Sequence, residues 1–221
     1  QLGRLAGFSV VVSSGILLAA AGLGGVDATG AAIYYLVVST LGLAALFLLI
    51  ELMERARAPG ADVLAVTADA FGLSDGEEPE EEVGVVIPSA MVLLGLSFAC
   101  AALLVAGLPP LPGFVAKFAM LAALLAGDPV PAATWAFLAL LLLSGLAAVI
   151  GLGRAGIRVF WAAEERSVPR VRVIEIAPVA ALLAACLALT AAAGPAMRYT
   201  QEAARALHAP GAYIDEVLRT R

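Results

Sequence analysis

The chain has one lysine among its 13 basic residues, one histidine and two cysteines. Charge is scarce altogether: Asp, Glu, Lys and Arg make up 14% of the 221 residues, against about 25% in soluble domains. Cys100 and Cys186 both lie in apolar runs, where a thiol acts as a small buried hydrophobe. With only His208 besides, no spacing of metal ligands emerges, and neither a metal nor a cofactor is expected. His208 itself falls in a polar tail and reads as a surface residue. The formal net charge of −5 comes largely from acids clustered in one segment, DGEEPEEE at 75–82, which reads as a solvated loop. It implies no nucleic-acid partner.

What fills the chain instead is apolar. Hydrophobic residues reach 62% and the mean hydropathy is +0.99, which is the composition of a membrane protein. Ala and Leu dominate and no strand-like alternation occurs, so the expected fold class is an all-α polytopic membrane protein rather than a barrel. Apolar runs long enough for a bilayer, which takes roughly 20 helical residues, lie near 5–24, 31–52, 86–127, 131–153 and 174–197. The membrane bundle is therefore expected over 1–198, with an amphipathic tail over 199–221. Gln1 leads straight into the first apolar run with no signal-peptide layout, and the chain reads as part of a longer protein.

The run 86–127 is interrupted by GLPPLPGFVAKFAML at 107–121. If each half crossed the membrane, Arg4, Arg55 and Arg57 would face away from Arg154, Arg158, Arg166, Arg170 and Arg172. A single crossing, broken in the middle, puts all eight on one side, as the positive-inside rule requires. The turns 25–30 and 128–130, which carry no arginine, then share the other side with the tail. The break involves Gly107, Pro109, Pro110, Pro112 and Gly113, and it sets Lys117 near mid-membrane. Irregular backbone at that depth occurs where it is buried in protein or lines a wet cavity, the setting in which transporters place ion sites.

A lysine there costs about 2.5–3.5 kcal/mol to insert. Arginine keeps its proton in any protein environment, whereas a desolvated lysine can release one. A chain that uses arginine everywhere else thus keeps its one dischargeable cation at the break; the bland alternative is a lysine that snorkels to the surface. Among the intramembrane hydroxyls, Ser13, Ser39 and Thr40 are candidates for lining a proton path, while Ser14, Ser97 and Ser144 read mainly as backbone or interhelical partners. GLGRAG at 151–156 has dinucleotide-loop spacing, but it caps an apolar run instead of following a strand.

The motif at 107–121 resembles the broken-helix signature of the antiporter-like subunits shared by Mrp/Pha cation/proton antiporters and NADH:quinone oxidoreductases. IYYLVVSTLGLAALFLLIELMER at 33–55, RLAGFSVVVSSGILLAAAGLG at 4–24 and LHAPGAYIDEVL at 207–218 are similar to the D-type subunits of Mrp/Pha antiporters. The resemblance implies the second half of an inverted-repeat antiporter-like fold, with Lys117 as the titratable residue of its broken helix and the loop 154–172 in the cytoplasm. It further implies a multi-subunit Na⁺(K⁺)/H⁺ antiporter in a bacterial inner membrane, a secondary transporter rather than an enzyme, with lipid and the other subunits as partners. The chain departs from the pattern in three places. Val38 stands where the family usually carries a histidine, Gly42 or Leu43 where a lysine often follows, and Ser13 where some relatives have histidine. The first repeat, with its glutamate and lysine, is not in the sequence. A proton-pumping subunit of a quinone-reducing or hydrogenase complex, and a non-conducting structural subunit, remain the alternatives.

Overall fold

The structure, a computed structural model, describes residues 2–55, 89–127, 129–160, 173–209, 211 and 218. The acidic run 75–82 and Arg57, Arg166, Arg170 and Arg172 lie outside the described residues, as does most of the tail beyond 209. Among those described there are seven helices and no strand: α1 (Leu2–Leu23), α2 (Val26–Arg55), α3 (Ser89–Ala106), α4 (Pro112–Leu125), α5 (Ala132–Phe160), α6 (Val173–Ala191) and α7 (Ala193–His208). The all-α polytopic expectation holds. Three helices, α1, α2 and α5, are long and apolar enough to cross a membrane alone. The shorter apolar helices α3 and α4 flank the break at 107–111.

Several boundaries differ from those expected, each for a local reason. The turn anticipated over 25–30 shrinks to Gly24 and Gly25, whose φ values of 77° and 93° suit glycine alone. Helix α2 therefore starts at Val26, and the Thr29 hydroxyl donates to the Gly25 carbonyl at 2.8 Å. Helix α5 continues to Phe160 instead of stopping near 153, so Arg154 and Arg158 are helical, and GLGRAG is simply a stretch of that helix. The span expected over 174–197 ends at Ala191, where α6 gives way to α7 with a bend of 84°. Pro195 has no N–H to give the Ala191 carbonyl and its ring would clash there, so the helix cannot run straight through. The amphipathic tail thus begins at Ala193 rather than at 199.

Two apolar clusters show how the helices run. The first gathers Ala6, Leu49, Leu94, Phe98, Leu152 and Val179, that is, the start of α1, the later part of α2 and the end of α5, together with α3 and α6. The second gathers Ile16, Ala20, Ala31, Tyr34, Ala116, Met120 and Phe137, from the opposite ends of α1, α2 and α5, together with α4. Helix α3 runs antiparallel to α5: Phe98 meets Phe160 with ring centroids 5.8 Å apart, while a Cβ on Gly145 would sit 3.4 Å from the Ala106 carbonyl oxygen. In passing from α3 to α4 the chain moves from the first cluster to the second. Helix α7 lies across the start of α2, with Gln201 against Gly30 and His208 Nε2 3.0 Å from Thr29 Oγ1.

Candidate functional site

Glycine and proline build the break from both sides. Gly107 ends α3 with φ 76°; its N–H donates to Leu104 O at 3.2 Å, and the Leu108 N–H to Leu103 O at 3.1 Å. That pair of bonds is a Schellman closure, which favours glycine at this position. Pro109 and Pro110, joined by a cis bond, are exposed on the outside of the connection. Pro112 opens α4 as its first residue, where a missing N–H costs nothing. Gly113 then packs on α3 so closely that a Cβ there would lie 2.5 Å from the Leu104 carbonyl oxygen. The positive end of one half-helix faces the negative end of the other.

Lys117 sits in the second turn of α4. Helical side chains lean toward their own N-terminus, so this one points back at the break. It is buried, with 7% of its surface exposed, and its Nζ donates to the Ala106 carbonyl at 3.0 Å. A cation at the last carbonyls of a helix meets the negative end of the helix dipole. Gly107 makes the approach possible: a Cβ there would come within 2.7 Å of Nζ. A mid-membrane cation thus rests on backbone oxygen, and no acidic side chain bonds to it among the described residues.

A cavity of about 150 Å³ adjoins the lysine, between α1, α2, α3, α4 and α5. Ser13 and Ser39, both expected on the path, line it, and so do Ser9, Tyr35 and Ser144. Ser13 is 7% exposed and lies beside the Tyr35 hydroxyl. Thr40 does not contribute. One residue along a helix turns the side chain by about 100°, so Thr40 is exposed and donates to Leu36 O at 2.7 Å. Sequence reasoning misses Ser9 and Tyr35, although the signal is present: Ser9 and Ser13 are four residues apart on one face of α1, and Tyr35 is a polar-tipped ring in an apolar helix.

Val38, Gly42, Leu43 and Ser13, the positions where the chain departs from the antiporter pattern, all border this same cavity. Glycine and serine leave space where a histidine or lysine would fill it. The hollow has room for several water molecules, and its hydroxyls and the ammonium supply the polar partners they need. Among the described residues no buried side-chain nitrogen or oxygen is left unbonded, and no group of three metal-ligating side chains occurs.

No family model matches the chain. Over 223 aligned residues it is 55% identical to a protein of Rhizobium meliloti (strain 1021) described as the D subunit of a probable K(+)/H(+) antiporter. The alignment takes in 98% of this chain and 41% of that protein, so the chain spans well under half the length of this relative. With the alignment running through the broken helix, its lysine and the cavity walls, the chain belongs with the D-type subunits of Mrp/Pha antiporters, matching their C-terminal portion.

Proposed function

We propose that this portion of the protein carries one segment of the proton path in a multi-subunit cation/proton antiporter of a bacterial inner membrane, with Lys117 loading and releasing the proton. The observation that carries the reading is the lysine itself: buried at a helix break, bonded to one backbone carbonyl and bordering a hydroxyl-lined cavity. Protonated, the ammonium is held by the Ala106 carbonyl and the end of α3. Neutral, the amine accepts a proton from water in the cavity, with Ser13, Ser39 and Tyr35 as relays. The family's histidine and second lysine are replaced by smaller or apolar residues, and water takes over the part those side chains would play. The R. meliloti relative's name points to K⁺ as the exchanged cation.

The crossing pattern belongs to the same proposal: α1, α2, α3 with α4, α5 and α6 make five passes, and α7 lies along the surface. Helices α3 and α4 together are about 48 Å long at 1.5 Å per residue, more than the roughly 30 Å hydrocarbon core, so the broken pair tilts or overhangs. The test is Lys117→Ala beside Lys117→Arg in the full-length protein, with K⁺- and Na⁺-dependent proton movement read by pH-gradient quenching in everted vesicles. Both variants are expected to lose activity by about tenfold or more with assembly intact. Wild-type activity in Lys117→Arg would remove the proton-carrier role and leave a fixed charge.

A further inference from the structure

A second pocket lies at the other end of the α1–α5 seam and shares no chemistry with the lysine. Gly151, Arg154, Ala155 and Arg158 form one stripe of α5 at i, i+3, i+4 and i+7, and all four line it. Leu2 and Leu5 of α1 and Met53 and Glu54 of α2 form the facing walls. Gly151 lets the helices touch, since a Cβ there would lie 3.2 Å from the Leu5 side chain, and beyond that contact the seam opens to about 510 Å³. Both guanidiniums and the Glu54 carboxylate are exposed, and neither arginine has an acidic partner among the described residues.

Two guanidiniums one helical turn apart suit a phosphate, which arginine grips through parallel N–H donors. The site lies where apolar helices end, and Phe8 and Val12 on α1 with Ile150 on α5 expose apolar surface below it. That combination is a charged head over a greasy groove, the layout of a lipid headgroup site. Glu54 narrows the class. A free anion or an anionic lipid would meet its repulsion, whereas a headgroup bearing both a phosphodiester and a primary ammonium uses all three charges. We infer that Arg154, Arg158 and Glu54 bind the phosphoethanolamine headgroup of a bilayer phospholipid, with its acyl chains along the α1–α5 seam.

The test uses the full-length protein extracted with its accompanying subunits, stripped of lipid and then offered defined lipids, with retention read by native mass spectrometry. Phosphatidylethanolamine is expected to be retained over phosphatidylcholine, whose quaternary ammonium cannot donate a hydrogen bond. Arg154→Gln with Arg158→Gln should weaken that retention by about tenfold. Glu54→Gln should abolish the preference for ethanolamine over choline while phosphatidylethanolamine still binds. Arg154→Lys with Arg158→Lys keeps the charge and should retain part of the binding, which separates lost contacts from lost fold. Unchanged retention in the double glutamine variant would overturn the site. Displacement by millimolar inorganic phosphate would make it a free-anion site instead, and preference for phosphatidylglycerol would overturn the role given to Glu54.

Discussion

Lys117 and Gly107 act as one unit. The lysine can occupy its place only because residue 107 has no side chain and a backbone that turns left-handed. Gly107→Ala meets both obstacles at once, a Cβ within 2.7 Å of Nζ and a conformation that costs an L-residue about 1–2 kcal/mol. The variant is expected to lower the thermal midpoint of the purified full-length protein and to lose transport. Gly153→Ala is the matched control, since a Cβ there meets nothing within 4 Å and the residue is helical; its midpoint should be unchanged or slightly higher. Equal losses in both would mean that the fit at Lys117 is not what residue 107 supplies. Tyr35→Phe keeps the ring and removes the hydroxyl beside Ser13. It should slow proton movement by less than the lysine variants do, because water can bypass one relay, and a full loss would make Tyr35 indispensable.

At the scale of elements, two interruptions divide the long apolar runs, and they arise differently. Between α3 and α4 glycine closes one helix and proline opens the next, so the two ends meet head to tail around the lysine. At Ala192 a proline three residues later denies the helix its next bond, and α7 leaves at 84° to lie on the start of α2. That docking depends on Gly30, where a Cβ would come within 2.9 Å of the Gln201 backbone. Gly30→Leu is expected to lift α7, seen as faster hydrogen exchange of the amides in 193–208 with α1 and α5 unaffected. Unchanged exchange would show that α7 is held elsewhere along its length. The bond between His208 and Thr29 sits at the far end of this contact and contributes modestly, because both groups are exposed.

For the whole molecule the question is which ends share a side. The clusters set the end of α2 and the end of α5 together, with the end of α4 on the opposite side. In a cysteine-free background, Glu54→Cys and Arg158→Cys are expected to react with an impermeant thiol reagent from one face of the membrane. Asp27→Cys and Gly127→Cys should react from the other. If α3 and α4 each crossed separately, position 127 would label with 54 and position 158 with 27. That outcome would replace five crossings by six and take Lys117 away from mid-membrane.

Composition alone determined the solvent. A chain with 62% hydrophobic residues has to satisfy its backbone within helices, and the Gly/Pro motif at 107–121 marked where one of them fails. The single lysine was legible for the same reason, since a lone charge in an apolar run stands out against everything around it. The walls of the site were not. Ser9, Tyr35 and Ser144 lie on three helices and converge only through packing, and Ser39 and Thr40 are neighbours in sequence that the helical twist sends to different surroundings. The ends of α2, α5 and α6 escape a reading by hydropathy, which reports only the apolar stretch. A helix continues past it until glycine, proline or a missing partner stops it. Tertiary structure also decided what the lysine touches: a backbone carbonyl freed by the break has no signature in sequence, because every residue carries one.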